Sequence, residues 1–178
     1  MGNLVKLIPD KREAAPGQLV IDVFTNAVIK TLAIQCSYAV VAGKAYACTD
    51  PQKIPAKVAD IAAVLGLVGN QVNGAIAICY GKQIYLALIG AILGKKFQEI
   101  PTDLEDGAGE ILNMIFGAAK AELDAEHGYS FQSAIPTIIR GPNLQFNTLA
   151  TNSRTAIPFT GKDGTFEIRI SLSREIGK

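Results

Sequence analysis

Two long segments with helically spaced apolar residues, each followed by several strand-like stretches, constrain the fold of this chain most. The first helix is predicted over Gly17–Ile34, and the second from Thr102 or Asp103 to about Glu126. A long helix and several strands therefore occur twice in the same order. That order predicts an α+β fold with pseudo-twofold halves, in which two long helices pack on an antiparallel sheet.

The stretches between and after the helices carry strand and turn signals in both halves. In the first half we predict strands over Tyr38–Cys48, Val58–Val68 and Ala75–Tyr80, a turn at Asn73-Gly74, and a short helix over Ile84–Leu93 that Gly94 ends. In the second half we predict Gly128 as the cap of the long helix, strands over Ser130–Ile139, Leu144–Ala150, Thr155–Phe159 and Thr165–Ser171, and a hairpin turn over Gly161–Gly164.

Length and the absence of a linker-like composition indicate one folded domain. The 178 residues fit a single core. Residues 1–15 are predicted to be an N-terminal arm, with one short strand over Leu4–Ile8. We predict a single domain over residues 16–178, with a first half at 16–95 and a second half at 101–172.

The charge pattern excludes several classes of protein. Seventeen basic and 16 acidic residues leave a net charge of +1, which argues against a nucleic-acid binder. The uncharged run Ile61–Gly81 is long enough to span a bilayer, but a cluster of glycines and amides inside it predicts two strands instead. Charged residues at Asp10–Glu13 argue against a signal peptide. We therefore expect a cytoplasmic protein that does not insert into a membrane.

The cysteine and histidine contents limit the chemistry further. Cys36, Cys48 and Cys79 are odd in number and widely spaced, which is typical of reduced core thiols. His127 is the sole histidine. A His-based zinc site is therefore ruled out, as is a Ser-His-Asp triad built on any histidine other than His127. No metal ligands are predicted.

Most of the sequence is uninformative about function, and one polar stripe on the second long helix is the exception. Asp106, Glu110, Asn113 and Gly117 recur at i, i+4, i+7 and i+11, so they share one side of the helix, away from the apolar residues. Glycines at 107, 109 and 117 each cost about 1 kcal/mol of helix stability relative to alanine. Close approach of a partner's backbone and close packing against the other long helix both explain these glycines.

The pattern Asp106-x3-Glu110-x2-Asn113-x22-Pro136 resembles the signature of the CheC/CheX/FliY family of chemotaxis phosphatases. CheC-like members carry the Glu and Asn pair on both long helices. Here the first helix has Asp22, Asn26 and Ile29 in the corresponding frame, so the chain resembles the CheX-like members, which have one active face.

This resemblance implies a function, a partner and a set of site residues. The substrate would be the phosphorylated aspartate of a CheY-like response regulator, with Mg²⁺ in the receiver's own site and no cofactor in this chain. Asn113 would hold the attacking water, and Glu110 would pair with the receiver's active-site lysine. Asp106, Gly117 and Pro136 would support docking. The resemblance also implies a homodimer.

Two other functions fit the same sequence. The fold could serve as a non-catalytic module that binds a receiver or a flagellar-switch component. It could also be a structural oligomer assembled through exposed sheet edges. The amide of Asn113 favours the phosphatase, because an adaptor has no need to orient water.

Overall fold

The computed structural model describes residues 16–48, 59–144 and 153–174. The helices are α1 (Pro16–Gln35), α2 (Lys82–Leu93) and α3 (Gly107–His127), and a 3₁₀ turn covers Thr102–Leu104. The strands are β1 (Val40–Ala42), β2 (Tyr46–Ala47), β3 (Ala59–Val68), β4 (Val72–Tyr80), β5 (Thr137–Leu144), β6 (Ser153–Gly161) and β7 (Gly164–Arg174).

The described strands form one sheet in the order β1-β6-β7-β4-β3-β5, and β2 also pairs with β6. Every pairing is antiparallel. The strand that follows α1 pairs with β6, and the strand that follows α3 pairs with β3, so each half places a strand beside the hairpin of the other. The predicted α+β class is confirmed, and the strand order has the expected twofold character.

The apolar stripes of the two long helices form the core above the sheet. Val20, Phe24, Val28 and Leu32 of α1 have no solvent exposure. By length and composition alone α1 could also cross a membrane, but in this structure these apolar residues form part of the core. The apolar residues of α3 are equally buried: Ile111, Leu112, Ile115, Ala119 and Leu123. The two helices pack on each other.

The hairpin β3–β4 confirms two strands within the uncharged run but corrects the position of the turn. Asn73 and Gly74 belong to β4, opposite Val68 and Leu67, and the chain turns over residues 69–71. The Asn73 side chain instead accepts a hydrogen bond from the Gly69 N–H at 3.0 Å. A Cβ on Gly74 would lie 1.9 Å from the Ser171 carbonyl oxygen, so this glycine permits close strand approach rather than a turn.

The second long helix begins later in the chain than predicted. Thr102 and Asp103 lie in the 3₁₀ turn, and α3 begins only at Gly107. The hydroxyl of Tyr85 on α2 donates to the Leu104 carbonyl, which holds this turn outside the helix. The predicted ends are confirmed, because Gly94 and Gly128 cap α2 and α3 in the left-handed conformation, at φ 64° and 68°.

The strands of the second half begin and end differently from the prediction. Residues 130–136 form no strand beyond one bridge from Phe131 to Gly69, and β5 starts at Thr137. The hairpin turn between β6 and β7 is confirmed by the pairing of Gly161 with Gly164. Residues 145–150 of a predicted strand, Val58 of another, and the whole arm 1–15 with Leu4–Ile8 lie outside the described residues.

Candidate functional site

The polar stripe predicted on the second long helix lies on the solvent side of α3. Asp106, Glu110 and Gly117 are exposed, and Asn113 is partly exposed. Glu110 and Asn113 stand three residues apart, so their side chains are neighbours on the helix surface. The structure therefore brings a carboxylate and an amide together on an accessible face, with the core on the opposite side of the helix.

Asp106 occupies the residue just before α3 but does not cap it with its side chain. Its backbone is already helical, at φ −62° and ψ −22°, and its carboxylate makes no capping hydrogen bond. Its carbonyl oxygen accepts from the Glu110 N–H at 3.0 Å. The exposed carboxylate lies at the positive end of the helix dipole, which stabilises it there.

The glycines at the start of α3 allow close packing against two neighbouring elements. A Cβ on Gly107 would lie 2.6 Å from Cδ1 of Ile89 on α2. A Cβ on Gly109 would lie 3.1 Å from Cδ1 of Ile138 on β5 and 3.6 Å from Cβ of Pro136. Packing against α2, β5 and the residue before β5 therefore accounts for these two glycines, and packing against the other long helix does not.

Pro136 and Gly117 have different surroundings. Pro136 is buried and contacts the position of Gly109, the residue before Glu110, so it holds the helix start against the sheet. A Cβ on Gly117 would meet nothing within 4 Å. No packing inside the described chain requires this glycine, and it leaves a shallow open place one helical turn beyond Asn113.

Two further contacts hold the turn that precedes α3, and sequence reasoning missed both. Glu105 forms an ion pair with Arg140 of β5, and Tyr85 of α2 binds the Leu104 carbonyl. Both partners lie far from the turn along the chain, so spacing rules give no signal for them. Together they orient the helix end that carries Asp106 and Glu110.

The corresponding face of α1 lacks the same pair. Asp22 and Asn26 are exposed, and Ile29 is partly buried. Asp22 accepts a hydrogen bond from the Gln18 amide at 2.8 Å. Within the described chain, one long helix therefore presents adjacent Glu and Asn side chains, and the other does not.

The three cysteines of the chain are buried, and burial suppresses the ionisation of their thiols. Burial raises the pKa of the Cys36 thiol to about 11 and that of Cys79 to about 12, and it also raises the pKa of Cys48. All three thiols are therefore protonated near neutral pH and unsuited to nucleophilic attack. No cluster of three or more His, Cys, Asp or Glu residues that could hold a metal occurs among residues 16–48, 59–144 and 153–174.

Solved structures share this architecture. A chemotaxis protein CheX from Desulfovibrio desulfuricans is 31% identical, with a TM-score of 0.74, over 86% of this chain and 99% of that one. A chemotaxis protein CheX from Vibrio vulnificus is 25% identical, with a TM-score of 0.79, over 86% of this chain and 99% of that one. A CheX–CheY–BeF3–Mg²⁺ complex from Borrelia burgdorferi shares the fold at 20% identity, with a TM-score of 0.69, over 86% and 97%.

The sequence matches a known protein family, although a comparison with individual curated proteins finds no match. Residues 61–160, more than half of the chain, match the family described as chemotaxis phosphatase CheX. This range contains α2, α3 and the whole Asp106 to Pro136 pattern. The chain therefore belongs to the CheX family of chemotaxis phosphatases.

Proposed function

We propose that this chain hydrolyses the aspartyl phosphate of a CheY-like response regulator and so resets chemotaxis or another two-component signal. The observation that carries the proposal is the adjacent Glu110 and Asn113 pair, exposed on a helix whose start is packed tightly through Gly107 and Gly109. A rigid support of this kind suits a task that depends on positioning. Membership in the family and the Borrelia burgdorferi CheX–CheY complex, which shares the fold, support the same partner.

Asn113 is proposed to position the attacking water. An acyl phosphate is hydrolysed when the water oxygen bonds to phosphorus in line with the leaving carboxylate oxygen, whose bond to phosphorus then breaks. A carboxamide can both donate and accept hydrogen bonds, so Asn113 can hold this water while it contacts the phosphoryl group. It does not need to accept the proton. The aspartate carboxylate of the receiver is regenerated, and the phosphoryl group leaves as inorganic phosphate, which keeps the protons of the water.

Glu110 is proposed to dock the receiver through its active-site lysine. The carboxylate is exposed, and no ion pair occupies it among the described residues. Binding the lysine one helical turn from Asn113 would bring the amide to the depth of the phosphoryl group. The two residues therefore divide the work between docking and hydrolysis.

Mg²⁺ is proposed to belong to the receiver, where it offsets phosphate charge, and this chain supplies no metal ligand to it. The protein is proposed to act in the cytoplasm as a homodimer. Asp106 is proposed to add negative charge at the docking face.

The test uses CheY-type receivers from the same cell, each phosphorylated with a small phosphodonor in the presence of Mg²⁺. Binding of each receiver to the purified chain identifies the partner, and loss of the acyl phosphate with and without the chain gives the activity. Faster loss for at least one receiver supports the proposal. Unchanged decay for every receiver that binds would contradict it.

Substitution of Glu110 by alanine should weaken docking and leave the chemical step largely intact. We expect KM to rise about tenfold or more, because a charge-assisted contact to the receiver's lysine is lost, while kcat changes little. Steady-state phosphate release measures both constants. Glu126→Ala is the matched control, because Glu126 is an exposed glutamate on the same helix about 24 Å further along. Equal KM values for the two variants would contradict the docking role.

Substitution of Gly117 by alanine should separate stability from docking. An open mid-helix glycine replaced by alanine should raise the free energy of unfolding by up to about 1 kcal/mol. If receiver loops cover this place, the added methyl group should nevertheless raise KM. Urea unfolding and phosphate release measure the two effects. Greater stability with an unchanged KM would show that the receiver does not contact Gly117.

A further inference from the structure

A large open cavity lies along α2 and shares no lining residue with the polar stripe of α3. Its volume is about 1050 Å³, as large as the pockets of about 300–1,000 Å³ that hold small molecules in other proteins. The α2 residues that line it share one face of the helix and include Leu86 and Gly90. Three connecting segments complete the lining: Ser37–Tyr38 after α1, Lys95–Gln98 after α2, and the Lys162–Asp163 turn between β6 and β7.

Hydrogen bonds hold the walls of this cavity in place. The Tyr38 hydroxyl donates to the Asp163 carboxylate at 3.0 Å and accepts from the Asp163 N–H at 2.9 Å, which joins the segment after α1 to the β6–β7 turn. The Lys95 N–H donates to the Gly90 carbonyl at 3.1 Å, so the chain after α2 folds back on the helix. Because the walls are already fixed, a ligand would lose little free energy in ordering them.

The charged groups that line the cavity are four lysines and one carboxylate, that of Asp163. The lysines come from the start of α2, the residues after it and the β6–β7 turn: Lys82, Lys95, Lys96 and Lys162. Lys82 Nζ pairs with Glu99 Oε1 at 2.5 Å. The other three lysines are exposed and form no ion pair with any residue that the structure describes. A chain with a net charge of only +1 therefore concentrates cations around one concavity.

The dipole of α2 accounts for only part of this concentration of charge. Lys95 and Lys96 follow the C-terminal end of the helix, where the partial negative charge favours cations. Lys82 is instead the first residue of α2, where the partial positive charge disfavours a cation, and Lys162 belongs to a hairpin turn. A shared anionic ligand accounts for all four lysines.

We infer that the cavity binds a small molecule that carries several phosphate groups and a flat ring, as a nucleoside triphosphate does. Ammonium groups donate charge-assisted hydrogen bonds to phosphate oxygens, and several of them can contact one polyphosphate chain. Leu86, Ala87 and Phe97 line the same cavity and are only partly buried, so they offer an apolar surface to the ring. The inference does not depend on the proposed function, because it uses none of the α3 site residues.

The experiment measures, by equilibrium dialysis, the binding of adenosine triphosphate and of inorganic triphosphate to the purified chain without Mg²⁺. Lys96→Gln, Lys162→Gln and the double variant remove cations from the cavity. Lys44→Gln is the matched control, because Lys44 is an exposed lysine between β1 and β2 and lies outside the cavity lining. A glutamate-rich peptide tests an acidic protein segment as the alternative occupant. Thermal unfolding of each variant checks the fold.

We expect one adenosine triphosphate to bind per chain, more tightly than inorganic triphosphate, and with an affinity that falls as salt is added. Lys96→Gln and Lys162→Gln should each raise the dissociation constant about threefold or more, and the double variant should raise it about tenfold. Lys44→Gln should leave the dissociation constant unchanged.

Two results would overturn the inference outright. One is no binding of either phosphate compound, or binding that Lys44→Gln weakens as much as the cavity variants do. The other is tighter binding of the peptide than of both phosphate compounds, which would assign the cavity to an acidic protein segment. Equal affinities for the two phosphate compounds would support the phosphate site and show that the apolar surface binds no ring.

Discussion

Asn113→Ala should abolish most of the hydrolysis and leave the complex with the receiver intact. We expect kcat to fall about 100-fold or more, because the attacking water loses its position in line with phosphorus. KM should change little, since Glu110 still contacts the receiver. The side chain is partly exposed and on the solvent side of α3, so its truncation leaves the core unaltered. Phosphate release and receiver affinity, measured on the same preparation, separate the two effects.

The matched control for this substitution lies on the other long helix. Asn26 is an exposed asparagine of α1 in the frame that corresponds to the polar stripe of α3, with no glutamate beside it. Asn26→Ala should therefore hydrolyse the acyl phosphate at the original rate. If Asn113→Ala also keeps that rate, the water-positioning role is wrong. If both variants lose activity, the effect does not belong to the α3 site.

Gly74→Ala should destabilise the fold more than any surface substitution in the chain. The new Cβ would lie 1.9 Å from the Ser171 carbonyl oxygen and 3.0 Å from its carbonyl carbon. These are backbone atoms of β7, so relief requires the two central strands to separate. We expect the free energy of unfolding to fall by about 3 kcal/mol or more. Urea unfolding measures this as a lower midpoint at an unchanged slope.

Gly66→Ala serves as the control, because Gly66 lies in the neighbouring strand β3. A Cβ there would meet nothing within 4 Å. Its replacement should change the free energy of unfolding by less than about 1 kcal/mol. Similar midpoints for the two variants would show that β4 and β7 do not approach as closely at Gly74 as the structure indicates.

The elements that sequence analysis predicted well are those with long periodic patterns or terminal glycines. The apolar spacing of α1 and α3 and the caps at Gly94 and Gly128 all depend on local chemistry, which a sequence displays directly. Asn73-Gly74 shows the limit of such reasoning. The pair is a strong turn signal, yet Gly74 is needed for contact with β7, and that contact lies about a hundred residues away in sequence.

The candidate site was predictable as a stripe on a helix, but its supports were not. Helical spacing alone placed Glu110, Asn113 and Gly117 on one face, and the structure brings them to the surface as expected. The contacts that hold this face come from β5 and α2, through Arg140 and Tyr85.

Phosphate release with the receiver in large excess is the most direct measurement of whether this chain turns over a phosphorylated receiver. We predict that each chain releases many equivalents of phosphate, at a rate well above the receiver's own decay and proportional to the amount of chain added. A chain that only binds would leave that decay unchanged or slow it by covering the phosphoryl group. That result would contradict the proposed hydrolysis and assign the α3 face to docking alone.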